Sequence, residues 1–343
     1  MRIGILTGGG DAPGLNACIR AAVARAEDLG WEAIGIRRGW AGLLENDCFP
    51  LSWPFVEKIV SLGGTVLETS RTNPFKREGD EERIFENFQK IKLDALIAIG
   101  GDDTLTVAHK LAQRGLPVVG VPKTMDNDVP LTDYTIGYDT AVNISTEAID
   151  RLHTTAASHR RLMVVEVMGR DAGWVAIASG LAGGAHLILI PEVPYDLEEV
   201  AQFLIDRKSR GNTYSLIVVS EAIHPKDGTE PFGYEKREVD AFGHVRLGGV
   251  GHIFAELLER KTGMEARATV LGHLIRSGPP TPFDRNLGTH LALKAIDLVQ
   301  EKKWDHMAAL KGTDYTSVNL GDVLSQTKRV PLEFYNRIKL FFR

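Results

Sequence analysis

The sequence predicts an α/β fold: two Rossmann-like, three-layer domains with parallel sheets, and a site in the cleft between them. Three observations carry this. Short apolar runs alternate with longer segments of helical period along the 343 residues. These runs are unbroken, as strands covered on both faces require. Glycine, aspartate and arginine gather where the runs end, and parallel sheets bind ligands beyond the carboxyl ends of their strands. At roughly 150 residues per domain, the length suits two domains.

Strands are expected at Ile3–Leu6, Ala33–Arg37, Ala95–Ile99, Val118–Val121, Leu162–Val167, His186–Ile190 and Ser215–Val219. Helices are expected near 15–29, 54–61, 81–91, 104–114, 139–157, 172–182, 196–209, 251–261 and 287–301. This alternation is the signature of a parallel sheet with helices on both sides. A boundary is expected near 137–140, after the Pro- and Asp-rich stretch 122–133. No internal repeat or low-complexity segment is visible. The tail 303–343 mixes charged and apolar residues and receives no role.

Composition narrows the function classes. Apolar residues make up 43% and charged residues 25%, ordinary values for a chain with a large core. The net charge is −5 and the pI about 6.1, so the basic footprint of a nucleic-acid binder is missing. An acidic protein that takes anionic substrates must concentrate its positive charge locally. Cys18 and Cys48 form no CxxC, which argues against a disulfide framework or cysteine zinc site and fits a reducing cytosol. The opening MRIGILTGGGDAPG reads as a first strand and its turn, not a signal peptide. No run reaches the ~18 apolar residues of a membrane span. A cytoplasmic protein is expected.

Five strand ends carry the unusual residues. The first, Gly8-Gly9-Gly10-Asp11-Ala12-Pro13-Gly14, could bring backbone N–H groups to a phosphate at a helix N-terminus, or simply form a tight turn. It matches neither GxGxxG nor GxxxxGK[ST]. The second is Gly100-Gly101-Asp102-Asp103-Thr104. Its carboxylates would repel a phosphate unless a cation lay between, which makes Asp102 a candidate Mg²⁺ ligand. Asp103 or Thr104 could instead serve only as an N-cap. The third is Pro122-Lys123-Thr124-Met125-Asp126-Asn127-Asp128. Phosphoryl transfer to a hydroxyl needs a carboxylate to accept the proton and positive charge for the phosphoryl oxygens. Asp126 and Asp128, two apart, face one side of an extended segment, with Lys123 or Mg²⁺ as compensating charge. An Asx-rich turn is the plainer use of the same residues.

The second half adds Arg161, Arg170 in MGRDAG (168–173), Glu221 in SEAIH (220–224), and Arg267, His273 and Arg276 in RATVLGHLIR. Several arginines together suit a phosphomonoester, and a carboxylate suits sugar hydroxyls. Each alone could be a surface ion pair or a packed histidine. Together the five loops point to phosphoryl transfer to or from a phosphorylated sugar.

In this order the motifs resemble the phosphofructokinase family. The match runs from LTGGGDAPGLN through GGDDT, PKTMDND, SHRRLMVVEVMGR and SEAIH to RATVLGHLIRSGPPTPFDR, about residues 1–300. The resemblance implies roles. Gly10, Arg71, Asp103, Thr104 and Lys123 would contact the phosphoryl donor, and Asp102 would hold Mg²⁺. Asp126 would be the base on the sugar 1-hydroxyl, with Lys123 and Arg170 assisting and Thr124 and Asp128 beside it. Met168, Gly169, Arg170, Glu221 and Arg276 would bind fructose 6-phosphate. Arg161, Arg267 and His273 would complete that site, with Arg161 and Arg267 reaching across from a neighbouring subunit of a homodimer or homotetramer. The implied division is a donor domain, 1–138 with about 251–301, and a fructose 6-phosphate domain, 139–250 with about 302–343.

Two departures bear on the donor. ATP-dependent bacterial members of the family carry GGDG and PGTIDND, where this chain has Asp103 and Lys123. That pair resembles the pyrophosphate-dependent members. A carboxylate and an ammonium would fill the path of an α-phosphate, and the lysine would neutralise compact pyrophosphate. Val107, at a later glycine of the ATP-type loop, is expected to crowd an adenosine. Pyrophosphate is therefore the expected donor and ATP the alternative. Weak effector control is also expected. Arg20 and Arg210 match the basic effector positions of allosteric members, but Ala24, His153, Asn212 and Thr213 do not. An NAD kinase relative would explain only GGDDT. A non-catalytic phosphosugar sensor would be expected to have lost Asp102, Asp126 or Asp128.

Overall fold

The computed structural model describes residues 1–226 and 248–343. The expected second-domain span 139–250 includes 227–247, which lie outside the described residues.

Eleven strands among the described residues form two sheets. They are β1 (Arg2–Thr7), β2 (Glu32–Ile36), β3 (Cys48–Leu51), β4 (Ala95–Gly100), β5 (Val118–Pro122), β6 (Leu162–Val167), β7 (Leu187–Leu189), β8 (Ser215–Ser220), β9 (Ala266–Val270), β10 (His306–Lys311) and β11 (Asp314–Asn319). The first sheet has the order β11-β10-β5-β4-β1-β2-β3, and the second β7-β8-β6-β9. The second sheet is parallel throughout. The first is parallel except at its two ends, where β3 and β11 pair antiparallel.

The central strands of both sheets are buried on both faces, which is why they read as continuous apolar runs. Successive side chains point to opposite faces. Ile3 and Ile5 meet Leu15 and Ile19 of helix Leu15–Asp28, and Leu291 and Ala295 of helix Pro282–Gln300. Leu6, Leu96 and Ala98 face the other way, onto Leu43, Ile84 and Leu105. In the second sheet Val165 and Val218 pack on Ile149, Val175 and Tyr335, while Val164 and Ile217 pack on Leu204, Phe254 and Leu258. Each lobe is thus three layers.

The expected boundary near 137–140 coincides with the start of the helix Tyr138–His159 that leads from the first lobe into the second. Asp284, fully buried, accepts hydrogen bonds from the N–H of Gly137 and Thr140 and the hydroxyl of Thr140. It ties the start of that helix to helix Pro282–Gln300. Burial pushes its carboxyl up to about 6, against the pull of these donors.

The expected division of the later chain needs correction. Residues 266–270, assigned to the first domain, form β9 of the second sheet, and β10 and β11, assigned to the second domain, extend the first. Helix Val250–Thr262 packs on the second sheet, whereas Pro282–Gln300 packs on the first. The chain crosses between lobes near 276–282 and again after β11. β9 and β11 are half-exposed and carry polar residues, so they lack the apolar runs that mark the central strands.

Candidate active site

Loops from the carboxyl ends of β1, β4 and β5 meet the loop from β6 in one polar cleft. Its walls carry Gly9, Gly10, Arg71, Gly101, Asp102, Asp103, Thr104, Lys123, Thr124, Asp126, Asp128, Arg170 and Arg276. Eleven of these were expected from sequence. Gly9 and Gly101 were not, although each adjoins an expected glycine or aspartate in the same loop.

The first loop is glycine-rich because side chains approach it from across the cleft. A Cβ on Gly10 would stand 2.7 Å from the guanidinium of Arg276, which donates to the carbonyl of Asp11 at 3.1 Å. Arg276 lies on the turn Gly272–Arg276 after β9, so it reaches from the second lobe to the first loop of the first. Gly8 and Gly100 are equally confined: a Cβ on either would lie 2.5 Å or less from a Thr104 side-chain atom.

Lys123 is 3% exposed. Its ammonium donates to the carbonyls of Gly8, at 3.1 Å, and Gly10. Two of its three N–H bonds are thereby used, and one remains for the cleft. Burial and the neighbouring Arg276 pull this lysine down to about 7, although Asp126, Asp11 and Asp128 favour its charge.

Asp126 is also 3% exposed. Oδ2 accepts from the Thr124 hydroxyl at 3.1 Å, and that hydroxyl in turn accepts from the Asp126 N–H. Oδ1 is buried with no hydrogen-bond partner. Native proteins rarely leave a buried carboxylate oxygen orphaned, so a ligand group is its natural partner. Asn127, between the two aspartates, takes the left-handed conformation at φ 53° that asparagine tolerates. Asp128 is pushed up to about 7, first by burial and then by Asp126.

The expected sugar-phosphate residues divide into three groups. Arg170 and Arg276 line the cleft. Gly169 and Glu221 stand behind Arg170: the Glu221 carboxylate accepts from the N–H of Gly169 at 3.3 Å and of Arg170 at 3.2 Å. This holds Arg170 at φ 50°, a conformation that costs a non-glycine residue about 1–2 kcal/mol. Burial, then Asp126, pushes Glu221 up to about 7, and the two N–H groups hold it back. Met168 adjoins this turn and packs against the core of the second lobe. The third group lies off the cleft wall of its own chain. Arg161 precedes β6 and pairs with Glu265 at 2.7 Å, and Arg267 pairs with Glu265 and Glu259. Both sit at the amino ends of their strands, the far side from the cleft. His273 is exposed on the turn that carries Arg276.

Val107 corrects another expectation. It is 1% exposed and packs in the core with Leu105, Ala108 and Leu111. It forms no part of the cleft wall and cannot crowd a bound adenosine there.

A model of the phosphofructokinase family matches residues 2–299. The chain belongs to the phosphofructokinase family. It is 51% identical over 342 residues to a pyrophosphate–fructose 6-phosphate 1-phosphotransferase of Dictyoglomus thermophilum, covering 100% of this chain and 99% of that one. It is 46% identical over 332 residues to ATP-dependent 6-phosphofructokinase 3 of Streptomyces coelicolor, covering 96% and 97%. Among solved structures, the phosphofructokinase of Saccharomyces cerevisiae superposes with a TM-score of 0.81 at 27% identity. That match covers 99% of this chain and 47% of the yeast chain, so the chain spans about half the yeast chain's length.

Proposed function

We propose that this protein transfers a phosphoryl group from pyrophosphate to the 1-hydroxyl of fructose 6-phosphate, giving fructose 1,6-bisphosphate and phosphate. The observation that carries the reading is the orphaned Oδ1 of Asp126, set in a cleft shared with Lys123, Arg71, Arg170 and Arg276. Asp126 takes the proton of the hydroxyl as its oxygen bonds to the terminal phosphorus and the bond to the leaving phosphate breaks. Lys123, fixed on the first loop, and Arg71 hold the donor. Arg170, Arg276 and Thr124 hold the acceptor, and Glu221 holds Arg170.

The donor set suits magnesium. Asp102, Asp103, Asp126 and Asp128 line one cleft, and Asp126 keeps an unsatisfied hard oxygen. No group of three or more metal-ligating side chains is preassembled among the described residues. That fits a cation held through Asp102 and the donor's own phosphate oxygens. When bound, the ion supplies positive charge to the phosphoryl oxygens.

Lys123 favours pyrophosphate because its ammonium lies on the donor loop, where a second compact anionic centre would sit. The relative named for pyrophosphate is also more similar than the one named for ATP. The ATP-dependent reading rests on the latter relative. A phosphosugar sensor is disfavoured because Asp102, Asp126 and Asp128 are all in place. Arg161 and Arg267 support a homo-oligomer with shared sites, since they face away from their own cleft toward the surface. Effector control is expected to be weak. Arg20 donates to the Glu57 carbonyl and lies over the Trp53 ring, Arg210 donates to the Asp206 carbonyl, and His153 bonds to Tyr214 and Gly183 in place of a basic group. No helix among the described residues is long and apolar enough to cross a membrane, and a cytoplasmic enzyme is the matching setting.

Pyrophosphate and a sugar phosphate lie close in transfer free energy, so the reaction should run both ways. The test supplies fructose 1,6-bisphosphate, phosphate and magnesium and measures pyrophosphate. Formation at a rate comparable to the forward reaction supports the reading; its absence contradicts it.

A further inference from the structure

The segment 328–330 lies between the short helix Leu320–Val323 and the helix Leu332–Ile338. It is anchored in the second lobe. Val330 and Tyr335 pack in that lobe's core, and the Tyr335 hydroxyl donates to the Ile188 carbonyl at 2.7 Å.

From there Lys328 reaches the loop after β5. Its N–H donates to the Asp128 carbonyl at 2.8 Å, and its ammonium to the carbonyls of Thr132 at 3.0 Å and Asp133 at 2.6 Å. Asn127 closes the same loop on itself. Its amide donates to the Asp133 carbonyl at 3.3 Å, and its Oδ1 accepts from the Thr135 N–H at 3.2 Å. Asp126 sits beside Asn127 inside this ring of bonds.

The other end of the segment reaches the loop after β6. The Val330 N–H donates to the Glu192 carboxylate at 2.8 Å, which also accepts from the Gly173 N–H at 3.0 Å. Gly173 ends the MGRDAG turn that carries Arg170. A Cβ on Gly173 would stand 2.5 Å from Ile190 and 2.9 Å from Glu192, so the turn is pressed against this partner. The Trp174 indole N–H adds a bond to the Lys328 carbonyl at 2.9 Å.

We propose that 328–330 is a positioning strap for phosphoryl transfer. Lys328 acts on Asp126 through the loop after β5, and Glu192 acts on Arg170 through the loop after β6. Both roles rest on the reading of Asp126 as the base and Arg170 as a ligand of the acceptor. The base comes from the first lobe and the arginine from the second, yet one sugar phosphate must meet both. A displacement of ~1 Å can cost about 10²-fold in rate. A segment bonded to both loops holds that spacing. Without Lys328 the loop after β5 keeps its fold on β10, because the Asp133 N–H bonds the Leu310 carbonyl at 2.8 Å and the Leu310 N–H bonds the Thr132 hydroxyl at 3.1 Å. What it loses is its tie to the second lobe.

The two ends of the strap predict different kinetics. Lys328→Met keeps the length of the side chain and removes the ammonium. Its kcat should fall about 10- to 10²-fold, with KM for fructose 6-phosphate within about threefold of wild type. Glu192→Ala strips the Gly173 and Val330 N–H groups of their acceptor and should raise that KM about tenfold, with kcat within about threefold. Lys328→Arg can still donate to both carbonyls and should recover most of the lost kcat. Circular dichroism checks the fold, and Lys328→Gln, with the same expectations, replaces Lys328→Met if that variant unfolds.

The deciding experiment is a double-mutant cycle. In the Asp126→Asn chain, Lys328→Met should cost no more than about threefold further in kcat, because the group it positions is gone. The proposal is overturned if Lys328→Met costs its full factor in that background. It is equally overturned if kcat of Lys328→Met stays within about threefold of wild type, or if both ends give one common pattern of kcat and KM. Turnover is read with whichever of pyrophosphate and ATP the wild type uses, so an error in the donor leaves the test intact. Full turnover in Asp126→Asn alone would instead strike the base itself.

Discussion

Replacing Asp126 with Asn separates chemistry from binding most cleanly. The side chain keeps its shape, and its amide can keep the contact with Thr124 that Oδ2 now makes at 3.1 Å. What disappears is the carboxylate proposed as the base. General-base catalysis is worth about 10²- to 10⁴-fold, or about 3–5 kcal/mol of barrier. The turnover number with pyrophosphate should fall by that factor, read by coupling fructose 1,6-bisphosphate to aldolase. Fructose 6-phosphate should still bind within about threefold of wild type by calorimetry, because Arg170, Arg276 and Glu221 are untouched. A second consequence is electrostatic. Asp126 helps to raise both Asp128 and Glu221 to about 7. Groups with raised carboxyl pKa values cost stability once pH exceeds their unfolded values, because folding then opposes ionisation. Removing the Asp126 charge should stabilise the ligand-free protein near pH 8 by on the order of 1 kcal/mol, the worth of one pKa unit. That gain should shrink as pH falls through about 7, where Asp128 and Glu221 take up protons in the folded protein and no longer feel the Asp126 charge. A turnover number within tenfold of wild type would refute the role given to Asp126. A variant equally stable or less stable at pH 8 would refute the account of charge crowding in the cleft.

Three further outcomes follow from the geometry. Asp103→Gly with Lys123→Gly should lower kcat/KM for pyrophosphate by roughly 10²-fold, the worth of a charge-assisted phosphate contact, and raise the ATP-to-pyrophosphate ratio at least about tenfold. Steady-state kinetics with each donor checks this. Glu221→Ala leaves the N–H groups of Gly169 and Arg170 without their acceptor and should raise KM for fructose 6-phosphate about 10- to 100-fold, with a smaller effect on kcat. In the second lobe, burial pulls His186 down to about 4, and its ring accepts from the Leu216 N–H at 2.9 Å. The unfolded chain then binds the extra proton between pH 6.5 and 4, so stability should fall as pH drops through that window. Discounted for partial exposure, the loss is about 1–2 kcal/mol, and urea melts of His186→Asn should lack that part of the acid slope.

How much of this was legible depended on where each signal lay. β6 matches its expected limits because LMVVEV is unbroken and buried along its whole length. β9, ARATV, escaped because it is half-exposed and broken by arginine and threonine. β10 and β11 escaped because their hairpin mixes apolar and charged residues. Without those strands, the return of the chain to the first sheet could not be read. The cleft was more legible than the fold's later half, since its residues sit in short motifs at strand ends. Val107 was misplaced because it was read by its position in a loop motif, whereas the period of helix Asp102–Ala112 turns Thr104, Leu105, Val107, Ala108 and Leu111 inward together. The crossing of Arg276 to the first loop and the hydrogen bond from the Lys328 N–H to the Asp128 carbonyl are contacts between segments 265 and 200 residues apart, for which no local pattern exists.

The choice of phosphoryl donor tests the account most directly. Fructose 6-phosphate and magnesium are supplied with either pyrophosphate or ATP, and kcat/KM is measured for each. Lys123 on the donor loop predicts that pyrophosphate is used at least about 10²-fold better than ATP. Efficient turnover with ATP and none with pyrophosphate would contradict it.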